Sequence, residues 1–292
     1  MALDAISDRQ QTPIGRWWRT FRVAYWLGWQ IESNWTDPFL FFVYSIARPL
    51  GSALILVFMY FVVAGARQGA MLGFFVVGTA FWPFVVNGMQ GMAWSIIGDR
   101  EHWRTIKYVY TSPIPYRAYL VGRALAQATS ALAAMLITLL FGRWVLHVPI
   151  GLDSMNLTYA AVAFALGIAA VVALGLVIVT IAMMISGEAW RMPEAVGAAL
   201  YLICGAVFPI TVLPGPVQSI AKAIPLTWWL EAMRRGLLGS GTITSFSWAT
   251  DGQILAILAG VTGVWVVVAS AAFTAADRRA RELGILDRES GF

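Results

Sequence analysis

Apolar residues run with little interruption through six windows, roughly 39 to 64, 71 to 97, 117 to 141, 158 to 186, 193 to 212 and 253 to 275. Each is close to the ~20 residues that carry a helix across ~30 Å of hydrocarbon, and the alternating ~10-residue strands of a membrane barrel are missing. The pattern predicts an all-α integral membrane protein with six transmembrane helices. Three polar or broken stretches punctuate it. Ahead of the first window, "IGRWWRTFRVAYWLGWQIESNW" interleaves tryptophans with arginines. This suits an amphipathic helix in the headgroup region, or else an aromatic lead-in to the first span. Between the second and third windows lies "GDREHWRTIKYVYTSPIPYRAYLVGR". From Asp99 to Thr111 it can form about three helical turns that present Trp103, Ile106 and Val109 or Tyr110 at three- and four-residue spacing. Pro113 ends that helix and Pro115 opens the next span. Between the fifth and sixth windows, Pro209, Pro214, Pro216 and Pro225 cut an apolar stretch into pieces too short to span. Irregular backbone at membrane depth needs a cover of protein or a water-filled cavity. The reading is a re-entrant helical hairpin over about 208–240 in the outer leaflet, with an amphipathic surface loop as the alternative.

Composition agrees with the pattern. Hydrophobic residues are 59% of the chain and charged residues 12%, against roughly 25% charge in soluble domains. Six spans put both termini on one side. That side would carry thirteen Lys and Arg against five on the other, with Arg48 and Arg123 inside spans. The positive-inside rule then makes both termini and the 98–123 segment cytoplasmic. The net charge of +5 sits at the ends of spans rather than on one soluble face, so membrane topology explains it better than nucleic acid does. The polar, then basic start has no apolar core or small-residue cleavage site, so no removable signal peptide is expected. One cysteine, Cys204, allows neither an internal disulfide nor a cysteine metal cluster.

The usual catalytic motifs are missing: no phosphate-binding Gly-rich loop before a Lys, no dinucleotide fingerprint, no His-Glu-x-x-His and no Gly-x-Ser-x-Gly. His102 and His147 fall on opposite predicted sides of the membrane and cannot share a metal, so no metal site is expected. Only Arg48, beside Pro49, is deep enough in a span to line a pathway or pair with a carbonyl, and snorkelling to the inner headgroups is its alternative. Without intramembrane carboxylates, an ion-coupled carrier is poorly supported. Phe81, Trp82, Phe84, Asn87, Gln90 and Trp94 make the second span aromatic with two polar exceptions. They are candidates for a pathway that takes varied apolar ligands, with core packing as the alternative. Small residues such as Gly51, Ala53, Gly197, Ala198 and Gly205 would permit close helix approach at a dimer seam.

The two broken segments together resemble the membrane subunits of ABC-2 type transporters. "VLPGPVQSIAKAIPLTWWLEAMRRGLLG" is very similar to that family's C-terminal pattern, with Leu213-Pro214, Pro225-Leu226-Thr227, Glu231, Arg234 and Leu238-Gly239 at matching places. Asp99-Arg100-Glu101, Thr105, Ser112-Pro113 and "YLVGR" match its cytoplasmic segment, while Arg104 stands for a glycine and Lys107 for a glutamate. "Ile106-Lys107-Tyr108-Val109" also resembles the polysaccharide-exporting branch.

The resemblance implies residues 1–35 as a cytoplasmic segment with the interface helix. It implies 36–276 as the six-helix domain, with a coupling helix at about 99–112, and 277–292 as a basic cytoplasmic tail. It implies a permease of an ATP-driven exporter in a bacterial inner membrane, moving a drug-like compound or lipid, or alternatively a lipid-linked polysaccharide. The chain itself would bind no cofactor. ATP and Mg would sit on two separate nucleotide-binding subunits, and a second permease chain, identical or not, would complete the assembly. Partner coupling is expected at Asp99, Arg100, Glu101, Trp103, Arg104, Thr105, Ile106 and Lys107. Pro214, Pro225, Glu231 and Arg234 would shape the hairpin, with Arg234 holding it together or meeting a lipid phosphate. An ion-coupled secondary carrier or a membrane assembly factor are the rival classes.

Overall fold

The computed structural model describes residues 12–34, 69–151, 155–185, 191–239 and 243–284, with residues 37, 39–40, 43, 47, 51, 54–55 and 58 as isolated positions. The expected first span, Arg48 and Ala53 included, otherwise lies outside the described residues, as does the second half of the basic tail, 285–292.

Helix α1, Pro13–Ser33, starts where the Thr12 hydroxyl accepts from the Gly15 N–H at 3.2 Å and Pro13 takes the first turn, which has no use for its missing donor. Helix α2, Gly69–Ile97, tolerates an internal Pro83 and runs on as one π turn over Gly98–His102. The short α3 is Ile106–Thr111, and α4 is Tyr116–Trp144. Helix α5, Leu157–Met184, begins with the Asn156 side chain accepting from the Tyr159 N–H. Then come α6 (Arg191–Ile203), α7 (Gly215–Ala223), α8 (Pro225–Leu238) and α9 (Asp251–Leu283). A Thr250/Gln253 capping box opens α9, and Gly284 at φ 61° closes it.

Among the described residues, four helices are long and apolar enough to cross a membrane: Met71–His102, Tyr116–Trp144, Leu157–Met184 and Asp251–Leu283. The expected fifth span, 193 to 212, is corrected at its end. Its helix stops at Ile203 and gives way to a turn with Gly205 at φ 75°, then a 3-10 turn at Ile210–Val212.

Helix α2 is central, packed between α4 and α5, while α5 also carries α8 and α9. The approaches are close: a Cβ added at Gly91 would lie 3.3 Å from the Ala124 Cα, and one at Gly175 would lie 3.0 Å from the Met89 carbonyl oxygen. Small residues supply such contacts where lipid removes the hydrophobic drive for helix association. Helix α1 joins this bundle through α4. Phe21 and Ala24 lie against Gly122, Gly28 against Arg123 and Ala126, and the Tyr25 hydroxyl donates to Thr129 at 3.0 Å. The register rises together over two turns of each helix, so α1 leans along the span it packs on.

The stretch expected as a hairpin is two helices with an elbow at Ile224. All of α8 is buried except Arg235. At the elbow the Trp265 indole N–H donates to the Ala223 carbonyl at 2.8 Å. Trp265 lies fourteen residues into α9, so the elbow sits about 20 Å along α9 from its start. Helix α7, with Val212 and Ile220 well exposed beside it, lies on the outside of the pair.

Arg234 fixes the turn after α6 to this arrangement. Its Nη2 donates to the carbonyls of Gly205 at 2.6 Å and Ala206 at 3.2 Å, and its guanidinium stacks 3.5 Å from the Phe74 ring centroid. A Cβ at Gly78 would stand 1.9 Å from the Ala206 oxygen, so only glycine lets α2 pass beneath that turn. Gly78→Ala is therefore expected to destabilise by about 1–3 kcal/mol, the range for overpacked cores. Thermal unfolding in detergent checks this, and an unchanged midpoint would mean the turn is not held there.

Candidate functional site

The 98–116 segment is not one continuous helix. The π turn closes with the Trp103 N–H donating to the Gly98 carbonyl at 2.8 Å, and the Thr105 N–H returns to the Asp99 carbonyl at 2.8 Å. Arg104, at φ 52°, takes the left-handed conformation that separates the π turn from α3. The expected three-turn helix over Asp99–Thr111 is thus corrected to a turn, a reversal and a six-residue helix.

The break turns several residues expected to face a partner inward. The Asp99 carboxylate accepts from the Tyr119 hydroxyl at 2.7 Å and from Arg123 Nη1 at 3.3 Å, and Arg123 also donates to the Tyr119 oxygen at 2.7 Å. All three are buried. Tyr119 and Arg123 are one turn apart on α4, so a single helix face meets one carboxylate. Arg100 is also buried, donating to Glu101 at 2.8 Å and reaching the carbonyl of Ile185, just past the end of α5, at 3.5 Å. Ile106 is in the core and Thr105 half-buried.

A second set of bonds ties α3 to the last turns of α9. The Tyr110 hydroxyl donates to Asp277 at 3.1 Å, and Arg281 pairs with Asp277 at 3.1 Å while lying over the Tyr110 ring. Burial and the Asp277 carboxylate hold the Tyr110 hydroxyl well above its ordinary pKa, so it remains a donor. Arg117, at the start of α4, donates to the Ser270 carbonyl at 2.9 Å and to the Thr274 hydroxyl. Sequence reasoning missed Asp277 and Arg281, gave Tyr110 only as part of an outward helix face, and gave Tyr119 and Arg123 only as part of the matching "YLVGR". The signal was the four-residue spacing of Tyr119 with Arg123 and of Asp277 with Arg281.

What remains at the surface of the segment is His102, Trp103, Arg104, Lys107, Tyr108, Thr111, Pro113 and Ile114. Trp103 is 53% exposed and Tyr108 68%, so the outward face is aromatic and basic. Glu101 is half-buried against Arg100.

The pathway candidates divide. Phe81 and Phe84 belong to a buried aromatic cluster, with Trp229 5.5 Å from Phe81 and Phe164 5.2 Å from Phe84 between ring centroids. Trp82, Asn87, Gln90 and Trp94 share the other, half-buried side of α2. Trp82 meets Tyr201 at 4.8 Å and Gln90 donates to the Pro193 carbonyl at 2.7 Å, so α6 covers those two.

In the hairpin, Pro225 opens α8 and Pro214 immediately precedes α7. Glu231 is buried, pairs with Arg235 at 3.2 Å and accepts from the Ser245 N–H. Arg234 is enclosed by protein, which corrects the expectation of a lipid phosphate contact.

The family model described as ABC-2 type transporter matches residues 20–238. The chain belongs to the ABC-2 type transporter family. It is the transmembrane permease component of that system, and its long apolar helices make it a membrane protein. No curated protein matches it.

Within this permease the Asp99 cluster is a buried ion pair and so is sensitive to loss of either charge. Asp99→Ala would leave Arg123 buried without its carboxylate, a loss of about 3–5 kcal/mol for a broken buried pair. Adding Arg123→Met should restore much of it, and chemical denaturation of the single and double variants measures the difference. Equal loss in both would show that the two groups are not paired.

Proposed function

We propose that this chain is the permease subunit of an ATP-driven exporter, coupled through its 98–116 segment to separate cytoplasmic nucleotide-binding subunits. The observation that carries the reading is the combination at that segment: an exposed aromatic and basic face, with its other side bonded to α4, to the end of α5 and to the last turns of α9. A partner pressing on Trp103, Lys107 and Tyr108 moves those helices together. Two ATPase subunits bind ATP and Mg, and a second permease chain completes the path across a bacterial inner membrane, with both termini cytoplasmic. The cargo is a hydrophobic or amphipathic compound, drug-like or lipid. The half-buried side of α2 with Asn87 and Trp94 supports that choice, because aromatic groups with few polar ones accept varied apolar ligands.

The test is mild-detergent purification of a tagged chain from its host, with identification of co-purifying ATPase and an assay of ATP hydrolysis and transport. Trp103→Ala and Lys107→Glu are expected to lose the ATPase or uncouple hydrolysis from transport while inserting normally. A chain that transports alone under an ion gradient, or full coupling in both variants, would overturn the reading.

A further inference from the structure

Helix α8 is tied to α9 at both ends, which fixes how deep the elbow between α7 and α8 lies. Arg235 pairs with Asp251 in the first turn of α9, and the Ala223 carbonyl accepts from Trp265. Trp265 is the midpoint of the uncharged run from Ile254 to Ala276, eleven residues from either end. Eleven helical residues rise roughly 17 Å, so the elbow stands near the centre of a hydrocarbon layer ~30 Å thick.

Lys222 belongs to this elbow. It occupies the last turn of α7, next to Ala223, and is exposed. Its ammonium meets no carboxylate among the described residues. Nor is it needed to close the end of α7, whose carbonyls have other donors: Ala221 accepts from Thr227, Lys222 from Trp228 and Ala223 from Trp265. Its four-carbon stem reaches about 6 Å, far short of either headgroup layer. A charge at that depth is costly in lipid, and such residues face the bundle interior or a water-filled cavity. The rest of the exposed face of α7 agrees. Gly215, Ser219 and Lys222 follow one another at four- and three-residue spacing, with Pro216, Ile220 and Ala223 beside them. At the level of the elbow α9 instead exposes Val264, Val266, Val267 and Val268. Those valines are what a helix presents to lipid, whereas α7 presents a cation, a hydroxyl and one large aliphatic side chain.

We propose that the exposed face of α7 lines a water-filled stretch of the transport path and that Lys222 there binds an anionic group of the cargo, a phosphate, sulfate or carboxylate. This rests on the transport reading and narrows its cargo from any hydrophobic or amphipathic compound to an anionic amphiphile. A lipid resting in the bilayer does not meet the same need, because its headgroup stays ~15 Å away at the surface. A carboxylate from a second copy of the chain would meet the charge but would leave no water on this face.

The test uses the full chain in phosphatidylcholine nanodiscs, open to solvent on both faces, and a charged methanethiosulfonate that reacts with hydrated thiolates. Cys204 is buried, so an added cysteine is the one such a reagent finds. Ser219→Cys and Lys222→Cys are expected to be labelled roughly tenfold faster than Val267→Cys on the lipid face of α9, where a thiolate does not form. Dodecyl phosphate should slow the labelling of Ser219→Cys roughly tenfold, the lower end for a hydrogen bond to a charged group, while dodecanol should not. Lys222→Gln should abolish that protection and Lys222→Arg should keep it. Labelling of Ser219→Cys without amphiphile should be the same in both, which separates a lost charge from a misfolded hairpin. Labelling of both α7 cysteines no faster than Val267→Cys would overturn the proposal by placing the face against lipid or a second copy. Equal protection by dodecanol, or protection that survives Lys222→Gln, would overturn it too. Labelling needs neither ATP nor a partner, so its failure leaves the coupling of the 98–116 segment standing, and a missing ATPase leaves the labelling result standing.

Discussion

A carbonyl oxygen without a donor is expensive where no water can reach it, and Arg100, Arg234 and Arg235 of this permease are aimed at such oxygens. Each sits where a helix stops. Arg234 reaches Gly205 and Ala206 after α6 and also donates to Phe74 at 3.4 Å. Arg235 reaches Phe246 and Ala249 ahead of α9, and Arg100 reaches Ile185 after α5. A guanidinium offers five donors in one plane and keeps its charge when buried, so one side chain can close several carbonyls at once. Lysine, with a compact and strongly hydrated charge, suits that task less well. The interruptions in the helices can exist because these side chains cover them.

Two of the interruptions lie at opposite ends of the bundle, and α9 touches both. At its start Asp251 accepts from Arg235 at 3.1 Å, midway Trp265 holds the elbow of the hairpin, and near its end Asp277 accepts from Tyr110. It is also the least enclosed of the long helices, with 22% of its apolar window buried. A helix with few packed neighbours and polar bonds at three levels can shift against the bundle without opening a core. The aromatic cluster of Phe81, Phe84, Phe164 and Trp229 is the opposite case, because Trp229 fills the space that a Cβ on Gly167 would occupy. Rearrangement is easier around α9 than through that cluster.

The long helices were legible because length and hydropathy alone determine them. Hydropathy failed at the fifth window, where "YLICGAVFPITVL" stays apolar through a turn. Gly205 and Pro209 were the stop signals, and an apolar composition hid them. In the 98–116 segment the sequence showed a short charged helix but not its direction of facing. Asp99 turns inward because Tyr119 and Arg123, some twenty residues later, offer it two hydrogen bonds from one face of α4 and are joined to each other by a third. No local periodicity carries that information. For Arg234 the sequence left open a role within the hairpin or a headgroup contact, and only the turn beneath it shows that its partners are carbonyls.

The size of α3 bears on how a push would travel. Six residues are far below the length at which an isolated helix is stable, so α3 owes its shape to what holds it. Ile106 anchors it in the core, Tyr110 bonds to α9, and the Thr105 N–H bonds back to Asp99. Those contacts lie on its inner side, while Lys107 and Tyr108 point out. A load on the outer face therefore presses the peg against its anchors instead of peeling it away. Under compression, short polar bonds to two different helices keep their geometry, and the displacement passes to α4 and α9 together. The same load directed outward would meet buried Ile106, half-buried Val109 and Tyr110, and a few hydrogen bonds, so α3 resists a push better than a pull.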